Sequence, residues 1–202
     1  MKKISLLCLT MCTFFSISQA QISDRLVPHM GFMYEFITTT LPTSNKRVRD
    51  FYNFHIGTYI ALLHSNDIVS LGVDPSVNFG FNLFNTGQSV AFDYTVQVPV
   101  LLMGRLGASA TPYNQQKIGV GVGVGAKYTY FSRHTDPVNK QQAGFLNPVV
   151  VGEISFVSRG GPISIRGIFS IADAIGTLTN TNGGDIDNTA FSASGIGLLY
   201  GF

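Results

Sequence analysis

Along most of the chain apolar and polar positions alternate with a period of two, and the alternating runs are separated by clusters of Gly, Asn, Asp and Ser. That period puts successive side chains on opposite faces of an extended strand, so it predicts strands joined in a meander rather than helices. The clearest run is Ile118 to Tyr130. Ile118, Val120, Val122, Val124, Ala126, Tyr128 and Tyr130 share one face, and Gly119, Gly121, Gly123, Gly125, Lys127 and Thr129 share the other. Val–Gly alternation makes a poor strand for a water-exposed sheet, because each Gly adds backbone entropy and no packing.

Reading outward from that run gives eight strands, at about 27–38, 50–63, 68–81, 89–103, 116–131, 145–158, 161–172 and 189–202. Each can cross a bilayer as a tilted strand of roughly 9 to 11 residues. The odd-numbered connections, 41–49, 82–88, 132–144 and 173–188, read as mostly longer, polar loops. Of the others, 64–67 and 159–160 read as tight turns, and 106–115 is the exception. Long loops at one end and short turns at the other point to an all-β, eight-stranded antiparallel transmembrane up-and-down β-barrel.

In every run one parity is apolar and aromatic, while the other holds Gly, small polar and ionisable residues. Tyr52, Phe54, Phe79, Phe92, Tyr94, Tyr128 and Tyr130 collect near the long-loop end as an expected aromatic girdle. The opposite parity holds Glu35, His55, Asp74, Asp93, Lys127, Glu153 and Arg166, the expected polar network of the lumen. A soluble barrel would invert these faces, but the polar parity is too poor in Lys and Glu and too rich in Gly for a soluble surface. If Ser158 faces Gly161 across a two-residue turn, Glu153 faces Arg166. Asp93, Lys127, Glu35 and His55 sit at similar depths and form a second expected cluster. Pro75, Pro99 and Pro148 fall within strands, where bulges or strand ends are expected.

Composition narrows the setting. The 202 residues are 45% hydrophobic and 12% charged, with 22 Gly and no Trp, and the mean hydropathy is +0.25. No run in the body of the chain is apolar for the 18 or more residues of a membrane helix. Met1, Lys2 and Lys3, an apolar stretch to Ile17, and Ser18-Gln19-Ala20 read as an export signal cleaved after Ala20. Residues 1–20 are thus expected to be removed and 21–202 to form one barrel domain, with both cysteines, Cys8 and Cys12, in the removed part. Lys2 and Lys3 supply the whole net charge of +2, so no basic excess is left for nucleic acid.

The chain ends Gly197-Leu-Leu-Tyr200-Gly-Phe202. This resembles the C-terminal β-signal of bacterial outer-membrane proteins, carried here by Gly197, Tyr200 and Phe202, with Gly195 standing where a polar residue is usual. With the export segment and the eight runs, the chain resembles small outer-membrane barrels of the OmpA and OmpX kind. The resemblance implies an integral outer-membrane location. Its expected partners are outer-membrane lipid, the barrel-assembly machinery during insertion and, for a subunit of a complex, another envelope protein.

Candidate chemistry is sparse. His29, His55, His64 and His134 show no metal-ligand spacing, so neither a metal nor a cofactor is expected. Arg133-His134-Thr135-Asp136 brings a base, a hydroxyl and a carboxylate together without a nucleophile motif. Asn180 to Asn188 fails as a calcium loop, because Phe191 stands where the last acidic ligand belongs. Lys46-Arg47-Val48-Arg49 is the one basic cluster, expected in a solvated loop with lipopolysaccharide phosphates as the alternative contact. The expectation is a small non-enzymatic barrel with a structural or interaction role and a plugged lumen. The alternatives are an accessory subunit of a secretion or assembly complex, a lipid-modifying enzyme using His134 and Asp136, and a narrow channel or proton-sensitive gate at His55.

Overall fold

In the computed structural model residues 25–85, 90–135, 139–159 and 161–202 are described; the expected export segment, residues 1–20, lies outside them. The strands are β1 (Leu26–Thr40), β2 (Lys46–Ser65), β3 (Val69–Asn85), β4 (Val90–Gly107), β5 (Ile118–His134), β6 (Lys140–Ser158), β7 (Gly161–Ser170), β8 (Ala174–Asn180) and β9 (Ile186–Gly201). All pairings are antiparallel, β1 to β7 pair in chain order, β7 and β8 each pair with β9, and β9 pairs with β1 to close the ring. β7 and β8 occupy the same place between β6 and β9, so the ring has eight staves and the seventh is interrupted. Closure removes the free edges that would otherwise leave backbone groups unpaired in lipid. Among the described residues no helix is long and apolar enough to cross a membrane.

The alternation becomes an inside and an outside. Phe32, Tyr34, Phe54, Ile56, Val122, Val124, Ile154, Ile196 and Leu198 are exposed, whereas the residues between them on each strand are largely buried. The exposed face is an apolar belt, and this arrangement suits lipid rather than water. Tyr34, Tyr52, Phe81 and Tyr94 follow one line of register across β1 to β4, and Phe54, Phe79, Val96 and Tyr130 follow the next line down across β2 to β5. Adjacent rings pack at 5.4 Å for Tyr34 and Tyr52 and at 6.1 Å for Tyr94 and Tyr130. The aromatic arc stops there: Gly144, Ile175, Ser192 and Ser194 stand on β6, β8 and β9.

Three expectations are corrected. The long loops are mostly strand: β1 and β2 run on to leave 41–45, β5 and β6 leave 135–139, and β8 and β9 leave 181–185. The basic stretch Lys46 to Arg49 is therefore the start of β2, paired with Thr40 to Ile37 of β1. Strands of 15 to 20 residues, such as β1 and β2, are longer than a bilayer requires, so polar sequence continues the ladder beyond the lipid. The longest connection between strands, 108–117, is at the end where Leu26 and Phe202 lie; we call this the lower end.

The prolines also behave differently from expectation. Around Pro75 and Pro99 rungs are missing, but the register on either side is unshifted. A missing N–H removes a hydrogen bond without requiring an extra residue. Pro148 does coincide with an interruption. The β6–β7 ladder ends at Val149 and Ser170, Ile171 N–H donates to the Pro148 carbonyl at 3.0 Å, and pairing resumes only at Gln142 and Thr179. Two residues more lie on the β7–β8 side than on the β6 side of this gap, so Ile171, Ala172 and Asp173 bulge outward and are exposed.

The glycine face of β5 acquires a role. A Cβ on Gly119 would meet the backbone of Ala108, one on Gly123 would meet Met103, and one on Gly125 would meet the Val100 carbonyl. Gly121 lies beneath Arg105 and Glu153. The residues that make β5 a poor soluble strand make room for the backbone and large side chains of its flanking segments, Met103 and Arg105 of β4 and Glu153 of β6 among them.

Candidate functional site

The lumen is filled in layers from the lower end upward. At the bottom, the 108–117 connection folds into the mouth: Ala108, Ser109, Ala110 and Thr111 are buried. Gly107 has φ +78°, a left-handed turn that glycine adopts at little cost, and it sends the chain inward there. The Ser70 hydroxyl donates to the Ala110 carbonyl at 2.6 Å, Arg105 Nη1 donates to the Ser109 carbonyl at 3.1 Å, and Asn114 donates to the Asp67 carbonyl.

Above this lid lies a charged layer. Arg166 contacts Asp74 at 2.7 Å and Glu153 at 2.6 Å, and Arg105 reaches both carboxylates at 3.3 Å. Glu153 and Arg166 are direct register partners across the 159–160 turn. His29 Nε2 lies 3.4 Å from Asp74, and the Arg105 guanidinium stacks on Tyr59 at 4.1 Å. Two carboxylates face two guanidiniums, so the formal charge cancels within the layer. Such cancellation is what buried ions need to offset desolvation. The void between Arg105, Glu153, Arg166 and His29 is only ≈ 10 Å³, about the size that holds one water.

The middle layer contains two separate groups. Lys127 Nζ lies 2.9 Å from Glu35, which also accepts from Asn53. His55 Nδ1 is 2.6 Å from Asn78 Oδ1, Asn78 donates to Gln97 at 3.0 Å, and the His55 ring stacks on His29 with centroids 5.0 Å apart. The upper layer is apolar. Ile37, Phe51, Phe131, Ala143, Phe145, Leu178, Phe191 and Ala193 form one buried cluster, with the Phe145 and Phe191 rings stacked at 5.0 Å. Beside it Asn147 spans the gap in the wall, donating to the Ala172 carbonyl at 2.9 Å and the Phe191 carbonyl at 3.0 Å.

The upper mouth is polar again. Asp93 lies 3.0 Å from His134 Nδ1 and 3.5 Å from Arg49 Nε, and it accepts from the His134 backbone at 2.7 Å. Arg133 donates through Nε and Nη2 to Gln141 Oε1 at 3.2 and 3.1 Å, above the Phe131 ring.

Glu35, His55, Asp74, Asp93, Lys127, Glu153 and Arg166 are all buried inside the ring. The expected Glu153–Arg166 pair forms, and the cluster expected from depth forms only in part, through Lys127 and Glu35. Asp93 is taken up at the mouth and does not meet Lys127, and His55 joins Asn78 and His29 rather than Glu35. Depth along a strand does not fix the partner across the lumen, because strand tilt offsets equal positions. Arg105 escaped notice because it sat at a supposed strand end; in β4 it shares the inward parity of Met103 and Leu101. Asn53, Asn78 and Arg133 carried the same signal, an inward-parity polar residue. Among the girdle residues Tyr52, Phe54, Phe79, Phe92 and Tyr128 are exposed, and Tyr94 and Tyr130 are half-buried. At the chain end Tyr200 and Phe202 point outward, stacked at 6.4 Å, and Gly197 faces inward over Met33. Asp136, the other half of the candidate hydrolytic pair, lies outside the described residues, and among the described residues the carboxylate that His134 meets is Asp93. Among the described residues no cluster of His, Cys, Asp or Glu has the makings of a metal site.

No family model matches the chain, and no curated relative matches it. Solved structures do. The attachment invasion locus protein Ail of Yersinia pestis aligns with a TM-score of 0.50 at 10% identity, over 89% of this chain and 99% of that one. Neisserial surface protein A aligns with a TM-score of 0.42 at 9% identity, over 87% and 97%. The N-terminal barrel domain of Pseudomonas aeruginosa OprF aligns with a TM-score of 0.37 at 9% identity, over 87% and 99%.

Proposed function

We propose that this chain, which has the fold of the small eight-stranded outer-membrane β-barrels, is a closed, non-conducting barrel of the outer membrane that acts through its ends and its lipid-facing wall, in a structural or interaction role. One observation carries this reading: among the described residues the lumen is crossed by a lid, a charge-balanced layer, a polar middle layer and an apolar layer in succession. A continuous water path would have to cross both the four-charge layer and the phenylalanine cluster. Its lasting partners in this reading are outer-membrane lipid around the apolar belt and, during insertion, the assembly machinery engaging Gly197, Tyr200 and Phe202. The test is planar-bilayer recording of the purified barrel. Wild type is expected to show no single-channel steps, and regular steps from wild type would overturn the reading.

A second reading, an accessory subunit bound to another envelope protein, is favoured by one feature. The upper aromatic arc is missing over β6 to β9, where Ile171 and Ile175 are 64% and 67% exposed beside the interrupted stave. Extraction in mild detergent followed by native sizing separates the two: companions at fixed stoichiometry support the subunit, and monomer size supports the free barrel.

A further inference from the structure

The barrel buries three arginines, and they are not treated alike. Arg105 and Arg166 each touch two carboxylates. Arg133, which is 3% exposed, makes no ion pair among the described residues, and its only hydrogen-bond acceptor is the neutral Gln141 side chain. A buried cation without a counter-ion is costly, and proteins normally pair it.

Its surroundings increase that cost. Arg47 and Arg49 of β2 share the inward parity of Phe51 and Asn53, and both charges bear unfavourably on Arg133. Asp93 acts favourably on it, and that carboxylate is already engaged by Arg49 and His134. Among the described residues three guanidiniums thus share the upper end of the lumen with the Asp93 carboxylate. Lys46 and Lys140 stand on the same arc of the rim, offset by Asp50, whereas Asp173, Asp185 and Asp187 lie on the other arc, around β8 and β9.

We propose that the upper mouth, at Arg47, Arg49 and Arg133, is a binding site for a phosphate or sulfate group. A tetrahedral dianion supplies a counter-charge for Arg133, and its several acceptor oxygens match the planar forks of guanidinium groups. The apolar cluster of Phe131, Phe145 and Phe191 beneath the mouth keeps water from approaching from below, which strengthens the attraction. The site rests on the reading of the chain as a barrel acting through its ends, but its test does not involve conduction. Failure here leaves the closed-lumen result standing, and the converse also holds.

The experiment is calorimetric titration of the folded barrel in uncharged micelles at low salt, with pyrophosphate as the first probe. One saturable site per barrel is expected, weakening as salt is raised. Arg133→Gln and, separately, the exposed Arg47→Gln are each expected to weaken it about tenfold, with folding of each variant checked by the heat-dependent gel shift of intact barrels. Asp93→Asn, which removes the competing carboxylate, is expected to tighten it. Absence of saturable binding to wild type overturns the proposal, as does binding that neither arginine variant weakens. The source of the group is then read in two arms, a phosphorylated glycolipid incorporated in the same micelle and a soluble sulfated oligosaccharide. Preference for the first assigns the mouth to a neighbouring lipid headgroup, and preference for the second to a glycan from outside.

Discussion

The lower and upper halves of the lumen solve the same packing problem with different chemistry. Below, four charges cancel among Asp74, Arg105, Glu153 and Arg166, with Arg105 also holding the lid through the Ser109 carbonyl. Above, Phe131, Phe145 and Phe191 fill the space, and a single side chain, Asn147, connects β6 to the bulged stave and to β9. Along β6 the ladder beside the charged layer runs unbroken from Ser158 to Val149, and beside the apolar layer the same strand loses its rungs until Gln142. A charged layer confers specificity because each ion must find its partner, whereas an apolar layer tolerates a displaced strand as long as volume is filled.

The largest effect should come from unbalancing the lower half. Glu153→Leu leaves Arg105 and Arg166 sharing Asp74, and the loss in unfolding free energy in micelles is expected at about 3–5 kcal/mol. Adding Arg166→Met to the same chain should recover much of it, because the remaining pair is again neutral. If the double variant is no more stable than the single, charge balance is not what holds the layer.

Phe145→Ala tests the upper half. Its ring is stacked on Phe191 and 6.2 Å from Phe131, so truncation should cost about 3 kcal/mol through lost contacts and a cavity. A Phe145→Leu change should cost clearly less than the truncation, whereas a conservative Glu153→Gln change below should still be severe. Equal tolerance in both halves would dissolve the contrast between them.

Asn147→Ala comes next, at about 1–3 kcal/mol, since it strands two carbonyls, those of Ala172 and Phe191. Hydrogen exchange localises the effect: faster exchange in Ala174 to Asn180 than in Gly161 to Ser170 is expected, and uniform change along the stave would show that Asn147 does not fasten the interruption. The smallest effect is expected at the surface, where Tyr52→Leu keeps an apolar side chain in the belt but loses the Tyr34 contact; a change within about 1 kcal/mol is expected.

How much of this was legible depended on range. The β5 alternation from Ile118 to Tyr130 separates the two faces because the period of a strand is local and a closed barrel applies it to every stave. The place of Arg166 opposite Glu153 is legible too, because one tight turn sets that register. The extent of the strands was harder: Lys46 to Arg49 and Ala174 to Asn180 are polar or irregular, and only pairing with β1 and β9 makes them strand. No local signal distinguishes such residues from loop once they lie beyond the lipid.

The sequence by itself determined the kind of wall, its strand count and the side each residue faces, since these follow from a two-residue period, turn chemistry and the demand that lipid meet no unpaired backbone. Only the tertiary structure decided what meets inside. Strand tilt and stagger carry Lys127 to Glu35 and Asp93 to Arg49 and His134, fold Ala108 to Thr111 back into the lower mouth, and leave Arg133 without a carboxylate of its own. Those contacts join residues as many as 92 positions apart, across a lumen whose geometry does not exist until the ring has closed.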